Sequence, residues 1–112
     1  MKKKYVMKDW VYEGEVDNEG MPNGKGVINF NDGKILKGIF KKGVPVKGNF
    51  HRIDSIYEGE LNPLTKPHGK GKLEFISGEY KDQIFEGIFK DGIYSKGKYS
   101  YTDGGYYNGE WL

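Results

Sequence analysis

The sequence predicts an all-β fold: one elongated, twisted antiparallel sheet of consecutive β-hairpins, about four and a half repeat units long. Three observations predict it. First, a short phrase recurs, as YEGE at Tyr12–Glu15 and Tyr57–Glu60, FEGI at Phe85–Ile88, LKGI at Leu36–Ile39 and YNGE at Tyr107–Glu110. Its central glycines fall at 14, 38, 59, 87 and 109, and such an echo marks a repeat architecture. Second, 18 glycines stand beside nine Tyr, six Phe and two Trp in a chain only 36% hydrophobic, a composition of short strands and rings. Third, alanine is absent and glycine interrupts every few residues, which argues against helices.

At 112 residues the chain is a single domain, 1–112, with a formal charge of +2. It has no cysteine, so disulfides, thiolate metal ligands and thiol nucleophiles are excluded. The Lys2-Lys3-Lys4 run resembles the start of a signal peptide, but Lys8, Asp9 and Glu13 interrupt any apolar region after it. No apolar stretch approaches the ~20 residues that span a bilayer. The expected compartment is the cytoplasm.

Residues 1–11 form a lead-in half-unit, with Lys2–Met7 where a unit's second strand lies, covering the first sheet edge. The first unit is 12–34. Tyr12, Gly14 and Val16 alternate with Glu13 and Glu15; Asp17–Asn23 carries turn chemistry. Gly24, Gly26, Ile28 and Phe30 then share a face opposite Lys25, Val27 and Asn29, and Asn31-Asp32-Gly33 signals a tight turn. The second unit, 35–56, places Leu36, Gly38 and Phe40 on one face, then Gly48 and Phe50 after the Lys42-Gly43 turn. The third, 57–84, has a longer loop around Pro63 and Pro67. The fourth is 85–106, and 107–112 is a closing half-unit. Units one and three share YEGE and Pro-x-GKG; units two and four share GIFK. The repeat therefore reads as a duplicated pair of hairpins, 45 residues apart at Gly14/Gly59 and 49 at Gly38/Gly87.

Residues two apart line one face of a strand. Each unit thus sets a ring beside a glycine, whose bare backbone lets a neighbouring ring lie flat on it. Tyr12, Phe30, Phe40, Tyr57, Phe75, Phe85, Phe89 and Tyr99 are expected first as core. A single layer of hairpins leaves its ring face to fold into a groove or meet a partner.

These features resemble the MORN repeat. Tyr57, Glu58, Gly59, His68, Gly69, Gly71, Phe75 and Gly78 carry the match most fully, and Tyr12, Gly14, Gly24, Gly26, Phe30, Asp32 and Gly33 nearly as well. The likeness covers residues 12–111. It implies hairpins joined into one twisted sheet with an aromatic-lined groove, in scaffolds, tethers and adaptors that bind partner proteins or contact anionic phospholipids. Units two and four depart from it by lacking the first glycine of G-K-G.

On the opposite face, Glu13, Glu15, Glu58, Glu60 and Glu86 sit on first strands, and Lys25, Lys70, Lys72, Lys96 and Lys98 on second strands. A cross-strand charge ladder is expected there. Unit two breaks the rule with Lys34, Lys37, Lys41, Lys42, Lys47 and Arg52 and no acid from Lys34 to Ile53. Near an anionic leaflet each such residue contributes on the order of 1 kcal/mol. Nucleic acid is not expected, because the sequence pI of 8.6 is below the usual range for its binders.

No catalytic or metal-binding constellation is present, and no cofactor is expected. His51 and His68 occupy unrelated slots. His68 stands where unit one has Asn23, before a turn glycine, and reads as structural. No helix follows Gly24–Gly26, so it is not a nucleotide loop.

The sequence therefore points to a non-enzymatic protein-interaction module, a scaffold, adaptor or inhibitory binder. A helix or extended peptide would lie on Tyr12, Phe30, Phe40, Tyr57, Phe75, Phe85, Phe89, Tyr99 and Tyr107. The central rings Phe40, Tyr57 and Phe75 are the expected anchors. A second expectation is peripheral recruitment to an anionic membrane through the six basic residues of unit two. A third is self-association, as a homodimer, through open terminal strands.

Overall fold

The structure, a computed structural model, describes residues 1–111. It contains ten strands and, among these residues, no helix: β1 Lys2–Val6, β2 Trp10–Val16, β3 Pro22–Phe30, β4 Ile35–Lys41, β5 Val44–His51, β6 Ser55–Leu61, β7 Pro67–Phe75, β8 Ile84–Lys90, β9 Ile93–Ser100 and β10 Tyr106–Glu110. They form one open antiparallel sheet in chain order, β1 to β10. Neighbouring strands lie ~4.8 Å apart, so ten of them should span ~43 Å. The molecule measures 49 × 24 × 19 Å, so its long axis runs across the strands.

Two rows of residues cross this sheet side by side. Gly14, Gly26, Gly38, Gly48, Gly59, Gly71, Gly87, Gly97 and Gly109 pair in succession from β2 to β10. Two residues along each strand runs the second row, Tyr5, Tyr12, Ile28, Leu36, Phe50, Tyr57, Leu73, Phe85, Tyr99 and Tyr107. The alternation read from the sequence is thus one continuous strip of backbone beside one continuous strip of side chains. Rings lie down across the bare strip. A methyl group placed on Gly71 would stand 2.5 Å from Cε1 of Tyr57, and one on Gly26 would meet Tyr12 in the same way.

The sheet's bends repeat as well. Register shifts occur at Gly14/Val16 and Ile39/Phe40, and again at Gly59/Leu61 and Ile88/Phe89. Such bulges increase local twist. Rings two strands apart meet over the strand between them: Tyr12–Phe40 at 5.2 Å, Phe30–Phe50 at 5.9 Å and Tyr57–Phe89 at 5.1 Å between centroids. The Lys42-Gly43 and Asp91-Gly92 connections are two-residue turns with positive φ at both positions (50° and 88°, 48° and 92°). This is the mirror-image turn that suits a twisted hairpin. Each turn docks on an earlier strand, with Gly43 N–H donating to the Pro22 carbonyl and Gly92 N–H to that of Pro67. Asn23 Oδ1 accepts from Lys42 N–H, and His68 Nδ1 from Asp91 N–H, so these two side chains fill one structural slot. The duplicated unit is the pair of hairpins.

The bulges also correct the expected division of labour within YEGE. Tyr12 Oη donates to the Glu15 carbonyl at 2.6 Å, Tyr57 Oη to that of Glu60 at 2.6 Å, and Tyr107 Oη to that of Glu110 at 2.8 Å. The carboxylates of Glu15 and Glu60 turn back to accept from Lys25 N–H (2.7 Å) and Lys70 N–H (2.8 Å). These second glutamates bind backbone instead of forming a charge ladder. Glu58, Lys72, Glu86 and Lys98 do stand in register with alternating sign. Among the described residues, however, the only Lys or Arg side chain within 4.0 Å of a carboxylate is Lys34, beside Asp32. We therefore expect Glu60→Ala to destabilise by about 1.5–3 kcal/mol, the range for hydrogen bonds to charged groups. Glu58→Ala should change stability by less than ~0.5 kcal/mol. Urea unfolding of the two variants checks this, and equal losses would contradict it.

Candidate partner-binding cleft

The sequence-predicted rings divide by burial. Tyr12, Tyr57 and Phe85 are fully buried, and Phe40, Phe89 and Tyr99 nearly so. They form the core together with Leu36, Phe50 and Leu73. Phe40 and Tyr57, expected as central anchors, are therefore sealed within the chain's own packing, because rings from alternate strands lean onto each other. Phe30 and Phe75 are half-buried, and Tyr107 is 44% exposed.

The basic residues of unit two do not converge. Lys34 and Arg52 flank β4 and β5 at one long edge of the sheet, while Lys41 and Lys42 lie at the other end of β4, ~23 Å away along a seven-residue strand. Lys37 and Lys47 lie between them. Lys34 is paired with Asp32 at 3.0 Å.

One place gathers members of both predicted sets. An open cleft of about 750 Å³ is lined by Lys34, Arg52, Ile53, Asp54, Ser55, Leu73, Phe75, Gly92, Ile93 and Tyr94. Arg52 and Ile53 come from the turn before β6, closed by the Arg52 N–H to Ser55 carbonyl bond of 2.8 Å. Ser55 opens β6 opposite Phe75, and Leu73 lies two residues back along β7. Tyr94 reaches the cleft because the bulge at Ile88/Phe89 pairs it with Phe89. Its ring stacks on Phe85 at 4.4 Å. Ile53 and Ile93 on the rim are each 71% exposed.

The electrostatics are lopsided. Arg52 Nε is buried and has no hydrogen-bond partner among the described residues. Its guanidinium carbon sits 6.0 Å from the Phe50 centroid, at the outer reach of a cation–π contact. A buried donor without an acceptor is costly and rare. The phenols beside it are displaced from their ordinary value of 10.0. Burial, and then repulsion from Glu60, pushes Tyr57 up to about 12 against an opposing pull from Arg52. Burial, and then Tyr99, pushes Tyr94 up to about 12, again opposed by Arg52. Native phenols thus stay neutral where unfolded ones ionise. Their contribution to stability is complete below pH 10 and is lost as pH rises from 10 towards 12. Thermal unfolding should show a steep fall in Tm across that window, and a smaller fall in Tyr94→Phe. Identical losses in the two proteins would contradict the assignment.

The sequence reading missed Ser55, Ile53, Ile93 and Tyr94. A signal existed for the first. Ser55 lies 45 residues after Trp10, the same offset as Gly14/Gly59, so a serine stands in the slot of a tryptophan.

Among the described residues no three His, Cys, Asp or Glu side chains are placed to hold a metal ion, and no helix is long and apolar enough to cross a membrane. Compared with models of known protein families and with curated proteins, the chain gives no match.

Proposed function

We propose that this chain is a non-enzymatic protein-interaction module of the MORN-repeat type, a scaffold, adaptor or inhibitory binder, that holds a segment of another protein in the cleft between β5 and β9. The observation that carries this reading is the cleft itself. It is an open hollow on the ring face, with two largely exposed isoleucines on its rim and Arg52 among its lining residues. Contiguous exposed apolar surface of this kind marks interaction sites. The test is to pan a random peptide-display library on the folded protein and measure binding of enriched peptides to variants. Ile93→Asp leaves the buried core untouched and should weaken binding at least tenfold, consistent with loss of an apolar anchor. Enriched peptides that bind Ile93→Asp as they bind wild type would overturn the cleft as the site.

A second reading is favoured by a different observation. On the outer face Lys25, Lys47, Lys70 and Lys96 are exposed, in register with Ile39, Ile39, Ile88 and Ile88 respectively. The Glu60 carboxylate beside this strip is committed to backbone. That arrangement suits an anionic phospholipid surface, through a set of lysines that shares only Lys47 with the unit-two cluster. In flotation with vesicles containing phosphatidylserine, Lys47→Glu/Lys70→Glu/Lys96→Glu should lose binding and Lys34→Glu/Lys42→Glu should keep it. Absence of flotation by wild type would exclude this reading.

A further inference from the structure

The duplicated halves of the sheet allow the cleft to be compared with its own counterpart. A smaller hollow of about 200 Å³ in the first half is lined by Trp10, Ile28, Phe30, Gly43 and Pro45 among others. At the 45-residue offset Trp10, Ile28 and Phe30 correspond to Ser55, Leu73 and Phe75. At the 49-residue offset Gly43 and Pro45 correspond to Gly92 and Tyr94. The two hollows therefore share five corresponding lining positions. The turns agree too: Met7 N–H donates to the Trp10 carbonyl at 2.9 Å, as Arg52 N–H does to that of Ser55. The side chains differ. In the first copy an indole, packed against the core, lines the hollow, and Pro63 and Thr65 of the β6–β7 loop close on it. In the second copy the indole's position carries Ser55, buried to 1% exposure, and the hollow is open. The residue in the turn changes from Met7 to Arg52.

We propose that the second-half cleft is a receptor for one large aromatic side chain with a carboxylate close by, supplied by a partner protein, the ring taking the space that Trp10 fills in the first half and the carboxylate pairing with Arg52. This rests on the interaction-module reading and gives it a chemical specificity. The apolar lining of Leu73, Phe75 and Tyr94 matches a ring. Arg52 lines the cleft, has no salt-bridge partner among the described residues, and carries a guanidinium fork that matches a carboxylate. Lys34 adds positive charge at the same wall, tempered by its partner Asp32 and by Asp54 on the lining.

Two small probes separate ring from charge. Indole-3-acetate carries an indole and a carboxylate; tryptamine carries the same ring and an ammonium. By protein-detected NMR titration, wild type should bind indole-3-acetate with a Kd on the order of 1 mM, as expected for a ligand of this size. Tryptamine should bind at least several-fold more weakly. Ser55→Trp restores the tryptophan that lines the first-half hollow and should remain folded, with both probes displaced. Ser55→Leu, a smaller filling, should weaken both. Arg52→Gln should keep ring binding and erase the preference for the acid. Binding of indole-3-acetate that Ser55→Trp and Ser55→Leu leave unchanged would overturn the proposal. So would failure of wild type to bind either probe. An acid preference that survives Arg52→Gln would overturn the carboxylate half. If display-selected peptides still bind in an Ile93-dependent way while the indole probes fail, this inference falls and the interaction-module reading stands. If neither binds, both fall.

Discussion

Gly71→Ala is expected to be among the most destabilising single-methyl additions in this protein, costing on the order of 3–5 kcal/mol. The added carbon would stand 2.5 Å from Cε1 of Tyr57, well inside contact distance. Tyr57 cannot step aside cheaply. Its ring is fully buried and edge-on to Phe89 at 5.1 Å, and its hydroxyl is tied to the Glu60 carbonyl at 2.6 Å. Relieving the clash therefore means losing the ring's packing and the hydrogen bond together. Against a total of about 5–15 kcal/mol for a domain of this kind, the variant should be largely unfolded at temperatures where wild type is folded. Gly33→Ala is the contrast. Nothing lies within 4 Å of the carbon it adds, so its cost is only that of a left-handed backbone at φ 100°, about 1–2 kcal/mol. Chemical denaturation of the two variants measures the difference. A Gly71→Ala protein as stable as Gly33→Ala would show that the ring does not rest on the glycine strip.

Tyr57→Ala is the second large effect, expected at ~3–5 kcal/mol from emptying a fully enclosed aromatic site. Tyr57→Phe keeps the ring and deletes one hydroxyl, so it should cost about 1–3 kcal/mol, through the carbonyl left unmet at the bulge. The two residues are also coupled. In Gly71→Ala/Tyr57→Ala the methyl group no longer meets a ring, so the double variant should lose less than the sum of the singles by about 1–3 kcal/mol. Denaturation midpoints of all four proteins complete the cycle. Strict additivity would contradict the contact.

The architecture was legible because two periodicities coincide in this chain. Alternation with period two assigns Tyr12, Gly14 and Val16 to one face, and the recurring glycine fixes which residues cross-pair, down to the nine-membered row from Gly14 to Gly109. The site was less legible, because it depends on departures from period two. The register slips by two residues at Gly14/Val16 and Gly59/Leu61, which sends the Glu15 and Glu60 carboxylates to backbone N–H groups, and by one at Ile88/Phe89, which brings Tyr94 beside Phe89. Alternation alone also marks Phe40 and Tyr57 as face residues without showing that neighbouring rings cover them. Ser55 is inconspicuous by itself. It gains meaning only when set 45 residues after Trp10, and Arg52 only when set after Met7. Asn23 and His68 were matched by that same kind of comparison, and the turn N–H groups they both accept explain the match.

The most direct measurement for the functional account is an amide-shift map of the isotopically labelled protein titrated with its best display-selected peptide. Shifts should concentrate at Arg52–Ser55, Leu73–Phe75 and Gly92–Tyr94, the segments that line the cleft. The equivalent first-half positions around Trp10 and Phe30 should stay still, since Trp10, Pro63 and Thr65 line and narrow that hollow. Shifts centred instead on the outer lysines Lys25, Lys47, Lys70 and Lys96, with the cleft unperturbed, would contradict it.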